Sequence, residues 1–305
     1  MVNTGRLLAA LAVSCLTVTG CANQDGPPQS TGVTLELTHD PAYYEGREIR
    51  LPLDSYALTR TQRDDFYEAV YAISSECMKE FGLEWPKPAQ GKSPATDNSR
   101  RYGVIDLPQA KKFGYGVPLP DGMTHEEALK IGHENIERTR RLSQGARNVY
   151  TGEGAKTFDG KAVPHGGCRG RAYANLGLPP EGMISTTLDA MRYEAWDRAR
   201  NSRIVIDAVA RWSTCMDKAG YAYKTLEEAV GDPSWRRQGD PSEEEISAAT
   251  TDITCKREVM LVEKWHAVEM ENQKLLMRER EDVLGELKRE LRSLVNNIIR
   301  VRSGS

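Results

Sequence analysis

The chain has 305 residues, with 41 Lys and Arg against 44 Asp and Glu, a formal net charge of −3 and a pI near 6.1. No basic excess is present for phosphate contacts, which excludes nucleic acid as the partner class. Leu, Ile, Val and Phe supply about a fifth of the residues, a thin core for this length, while the near-neutral charge argues against wholesale disorder.

Residues 1–20 read as an export signal. Arg6 precedes an apolar run over 7–18 that ends in small residues, the layout of a secretory signal peptide. As a helix this run would rise about 18 Å, short of the ~30 Å hydrocarbon core, so it is too short for a permanent span. It closes on Val18-Thr19-Gly20-Cys21, which resembles the lipobox of bacterial lipoproteins. The resemblance implies a thioether-linked diacylglycerol on Cys21, cleavage after Gly20, and an anchor on the membrane. Ordinary secretion, with a cut after the small-x-small group Gly20-Cys21-Ala22, is the alternative. Residues 22–32 form a polar Gly/Pro/Ser tether.

With Cys15 in the signal and Cys21 carrying lipid, Cys77, Cys168, Cys215 and Cys255 remain. Four cysteines in an exported chain read as two disulfides with three connectivities. The H-x-x-C spacing of His165 and Cys168 raises a metal reading, but no C-x-x-C accompanies it, and no cofactor or metal is expected.

In chain order, Val33, Leu35 and Leu37, then Ile49, Leu51 and Leu53, alternate with polar residues and predict a short β ribbon, with Pro52 confining its strand to an edge. A helix starts near Thr59 or Thr61 and runs to about Phe81. Its buried face is Phe66, Ala69, Val70, Ile73 and Cys77. Residues 86–124 are rich in Pro and Gly. Within them Tyr102, Phe113 and Tyr115 either line a binding loop or plug the core. Thr124 with Glu127 is a capping box opening a helix to about Ser143, and a further helix spans about 185–219.

From Glu243 to about Arg302 the pattern predicts one long helix opened by a second capping box, Ser242 with Glu245. Leu284, Leu287, Leu291, Leu294, Ile298 and Val301 form a coiled-coil-like seam, interrupted upstream by Gln273 and Arg280. A seam this narrow wants one partner helix: another helix of this chain, a second copy in a homo-oligomer, or a foreign envelope protein.

One frame occurs twice, A-x-x-S-x-C-M-x-x-x-G-x-x-aromatic, at 72–85 and 210–223. The glycine stands five residues after the cysteine, where a left-handed residue stops a helix. If the chain carries two copies of one unit, over 33–180 and 181–305, each helix cysteine pairs within its own unit: Cys77 with Cys168 and Cys215 with Cys255. If the match is chance, a Cys77–Cys215 bond stays open.

No nucleophile elbow, metalloprotease helix, P-loop or dinucleotide fingerprint occurs. The lipobox, the LPLDSYALT lead into a helix, the C-M-x-x-x-G helix end, the HGGC segment and the charged terminal helix together resemble an uncharacterised group of secreted actinomycete lipoproteins with paired cysteines. That resemblance implies export and residence at the outer face of the cytoplasmic membrane, and carries no activity. The expected protein is mainly α, a disulfide-stapled helical domain with a short N-terminal ribbon and a long terminal helix. It is expected to act as a non-enzymatic interaction or accessory module of the envelope. A ligand-binding lipoprotein serving a transporter is the alternative, with a wall or lipid hydrolase behind it.

Overall fold

A computed structural model describes residues 37–88, 97–154, 156–180, 186–235 and 239–304. The signal segment, Cys21, the tether, and Val33 and Leu35 of the expected ribbon lie outside these residues. From Leu37 onward the chain forms a single unit. Among the described residues eleven α-helices carry it: α1 Arg60–Glu80, α2 Leu107–Phe113, α3 His125–Arg140, α4 Gln144–Thr151, α5 Gly167–Asn175, α6 Thr186–Arg200, α7 Arg203–Lys218, α8 Leu226–Gly231, α9 Glu243–Glu258, α10 Leu261–Glu279 and α11 Glu281–Arg302. The described strands are β1 Thr157–Phe158 and β2 Lys161–Ala162, antiparallel with Thr157 opposite Ala162.

Several helix starts are local chemistry. The Thr59 hydroxyl accepts the Gln62 N–H while the Gln62 side chain accepts the Thr59 N–H, and Thr124 with Glu127 does the same. Ser242 caps α9, but Glu245 does not reach back to complete the box. Its carboxylate is drawn away to accept the Tyr115 N–H at 3.0 Å.

The ribbon is not formed where described. Ile49 and Leu51 are buried in irregular chain, and Pro52–Tyr56 is a 3-10 turn with Leu53 fully buried. The Asp54 carboxylate accepts the Leu51 N–H at 2.8 Å, offering the backbone a local partner in place of a strand ladder, and Pro52 starts the turn.

The two long helices are also broken. Residues 186–218 divide at 201–202, where Ser202 caps α7. Residues 243–302 make three helices, α9 to α11, divided at Met260 and Arg280. Met260 takes a left-handed φ of +54°, which costs a non-glycine residue about 1 kcal/mol. Leu261 and Val262, both fully buried just beyond it, offset that cost. Arg280 donates to Glu194 of α6 at 2.6 Å, fixing the second bend from outside the helix.

Both disulfides form within the expected pairs, Cys77–Cys168 joining α1 to α5 and Cys215–Cys255 joining α7 to α9. The two copies of the frame end their helices alike. Gly82 and Gly220 have φ of +69° and +95°, and the N–H groups of Leu83 and Tyr221 return to the carbonyls of Met78 and Met216, a Schellman cap. The halves of the chain interlock nonetheless, because α11 lies on α1 and α9 lies on α2.

The C-terminal seam is consumed internally. Leu291, Leu294, Ile298 and Val301 pack with Leu58, Phe66, Ala69 and Val70, with Ala172 of α5 and with Leu176 just after it. Leu284 and Leu287 pack with Leu53, Leu188, Met191 and Leu276. The stripe is straight, but the groove receiving it is built from several short elements rather than one partner helix.

Candidate functional site

Helices α9 and α10 present a line of buried polar side chains to residues 39–54 and to the stretch 98–116 that carries α2. Asp252 and Lys256, one helical turn apart, are both fully buried and joined at 2.9 Å. The Lys256 ammonium also donates to the Val104 carbonyl at 2.8 Å, and Asp252 accepts the Trp212 indole N–H at 2.8 Å. Burial outweighs the mutual attraction. It pushes the Asp252 carboxyl up and the Lys256 ammonium down, each toward its neutral form. Gly103 fits over this pair because it has no side chain; a Cβ there would sit 2.8 Å from the ammonium nitrogen.

Further along, Glu269 accepts Arg101 Nε at 2.7 Å, the Tyr102 hydroxyl at 3.0 Å and the Gln273 amide at 3.0 Å. Gln273 in turn accepts the Leu53 N–H at 2.9 Å. Glu263 accepts the Tyr44 hydroxyl at 2.7 Å and pairs with His39 at 3.1 Å. Burial first, then these carboxylates, holds the Tyr44 and Tyr102 hydroxyls well above the ordinary tyrosine range. His266 donates Nε2–H to the Arg50 carbonyl at 2.9 Å and accepts the Tyr43 hydroxyl on Nδ1 at 2.7 Å. Burial lowers its pKa and favours the neutral ring.

Above this line lies a cleft of about 90 Å³, floored by Val104, Ile105 and Ala110 and edged by Gly46, Arg100, Asp106 and Gln109. Arg100 is spent on the carbonyls of Tyr115, at 3.1 Å, and Gly116, and burial lowers its pKa. Gln109 Oε1 finds no hydrogen-bond partner among the described residues.

Tyr102, Phe113 and Tyr115 are buried to within 5% exposure. They plug the core and hold the loop down, and none is among the residues lining the cleft beside them. Tyr102 and Tyr115 belong to the main hydrophobic cluster around Trp212. Phe113 meets the His125 ring edge-on at 6.1 Å. Cys168 is spent in its disulfide, which removes the H-x-x-C metal reading. Cys21 lies outside the described residues.

Sequence reasoning missed Asp252, Lys256, Glu263, Glu269 and Arg101. Asp252 and Lys256 stand four residues apart, the spacing of an ordinary exposed helix pair. Their signal was the buried alanines beside them, Ala248 and Ala249. Gln273 did register, as an interruption of the apolar seam. In chemical terms the line fastens. A lysine with a lowered pKa is a nucleophile in an open pocket, but this amine is sealed from solvent and its protons are taken by Asp252 and Val104.

No family model matches the chain, and neither a curated protein nor a solved structure is similar to it.

Proposed function

We propose that the protein is an exported lipoprotein, held at the outer face of the cytoplasmic membrane by lipid on Cys21, and that residues from Leu37 onward act as a non-enzymatic interaction or accessory module of the envelope. The observation that carries the reading is the cysteine ledger. All four cysteines after residue 21 are consumed in two disulfides, as suits an oxidising compartment. None of them is left to pair with the thiol that follows Gly20. The buried acid, base and amine groups are engaged in holding loops to helices, which suits a scaffold. Kinship with the actinomycete lipoprotein group belongs to the same proposal.

Mass spectrometry of the N-terminal peptide from native membranes tests it. Diacylglycerol on Cys21, and release of Cys21→Ser protein into the medium, are the expected results. An unmodified thiol at Cys21 overturns the anchor.

A ligand-binding reading draws on the cleft near Gln109. Its roughly 90 Å³ is well below the ~300 Å³ at which ligand pockets begin, so it admits only a few heavy atoms. A thermal-shift screen that found a stabilising small molecule would raise this reading above the first.

A further inference from the structure

The seam at 284–301 is used up inside the fold, but another helix has a face that nothing in the described unit covers. Helix α3 is sixteen residues long and has no buried residue. It is moored near its ends, His125 bonding Asp240 at 2.8 Å and meeting Phe113, with Leu142 packed just beyond its last turn. Ala128, Ile131, Asn135 and Arg138 are half-buried. At 100° per residue they share one side of the helix. The opposite side carries Glu126, Leu129, Gly132, His133, Ile136 and Arg140. Leu129 is 51% exposed and Ile136 is 58% exposed, and a Cβ on Gly132 would meet nothing within 4 Å.

The order of residues along this stripe is self-complementary. Reversed about a point between Gly132 and His133, Leu129 falls on Ile136, Gly132 on His133, and Glu126 beside Arg140. A two-fold contact needs this property, because the same patch must serve both partners. In an antiparallel pair residues on one flank meet residues on the same flank, so Glu126 of each copy reaches Arg140 of the other. Glu126 of the acidic first turn then lies against Arg140 of the basic last turn, whose partner within the helix is Glu137, and the helix dipoles oppose favourably. Gly132, with no side chain, lets the two helices approach closely at the crossing.

We infer that α3 is a homodimerisation helix that packs antiparallel on α3 of a second copy, centred between Gly132 and His133. A helix of this length is about 24 Å long. Such a contact falls in the small, weak class of interfaces, so dimers form in a concentration-dependent way. The inference stands whether or not Cys21 carries lipid.

Cross-linking decides the geometry. Full-length Leu129→Cys protein mixed with full-length Ile136→Cys protein should give a disulfide-linked dimer under mild oxidation. Each variant alone should give little, since like positions lie well apart in the antiparallel register. Sedimentation of the unmodified chain should show mass rising from 34.0 kDa toward twice that value with concentration. Glu126→Arg or Arg140→Glu alone should weaken the dimer by about tenfold, and the two together should restore it. A strict monomer at every concentration overturns the inference, whether α3 then meets a lipid surface or a foreign protein. So does Leu129→Cys cross-linking to itself as readily as to Ile136→Cys, or a double charge reversal that fails to rescue.

Discussion

The two copies of the cysteine frame make the same helix end in different surroundings. At Cys77 the neighbourhood is apolar. Cys77 and Cys168 are at most 1% exposed, Met78, Phe81, Ala146 and Val149 surround them, and Trp85 stacks on Tyr150 with ring centroids 3.6 Å apart. At Cys215 the cap is equally regular, but Cys215 itself is only half-buried. It lies in a surface depression edged by Arg211, Lys218 and Lys264. The inner side of the Cys255 helix carries the Asp252–Lys256 pair among the apolar side chains of the main cluster. The helix end is dictated by glycine and a local hydrogen-bond pattern, so it repeats. What the staple is bolted to is not dictated locally, and the two copies diverge. The first staple sits in a small apolar cluster, whereas the second borders the main hydrophobic cluster, into which buried polar ties to the N-terminal loops are set.

The largest test of that contrast removes each staple in turn. The bonds close 91 and 40 residues. In the chain-entropy model they contribute about 4.6 and about 3.9 kcal/mol, nearly the same. Alanine pairs at Cys77/Cys168 and at Cys215/Cys255, compared by urea unfolding, should therefore lose similar stability. A gap of more than about 1 kcal/mol would mean that native surroundings, rather than loop closure, set the value of each bond.

The next test cuts the buried polar pair alone. Lys256→Met leaves Asp252 buried without its cation and should cost about 3 kcal/mol, the lower end of the range for a broken buried pair. The lower end is expected because the Asp252 carboxyl, already pushed toward its neutral form, can protonate and keep the Trp212 bond. Adding Asp252→Leu should recover most of the loss. If the single change is harmless, the pair is not a tie.

Reduction under native conditions sharpens the comparison further. Cys215, only partly buried, should be attacked by a thiolate reductant about tenfold faster than the buried Cys77–Cys168 bond. Quenching with an alkylating agent and peptide mapping reads the order of release. Equal rates would remove the difference in access.

The smallest effect concerns His266. Its folded pKa lies below the ordinary 6.5, so the unfolded chain binds the proton more readily. The stabilising neutral form is fully present above about 6.5 and is lost as pH falls below that value toward the folded pKa. His266→Gln should flatten the decline in melting midpoint between about pH 7 and pH 5; an unchanged slope would place the acid sensitivity elsewhere.

The amino-acid sequence by itself determined what short-range chemistry controls. Thr59, Thr124 and Ser242 start helices because their hydroxyls reach N–H groups three residues on. Gly82 and Gly220 stop them because only glycine enters the left-handed region freely. The disulfide pairing was also legible, through the repeated frame. The tertiary structure alone decided where the long helical patterns break, since Met260 and Arg280 carry no breaker chemistry and are bent by what they contact. It decided that Ile49 to Leu53 turns rather than pairs as a strand, and that the seam from Leu284 to Val301 closes on α1, α5 and the turn at Leu53. It also decided that Asp252 and Lys256, spaced like a surface pair, face inward. An apolar stripe or an acid–base spacing states what a side chain needs from a neighbour; which segment of a 305-residue chain supplies it depends on contacts far apart in sequence.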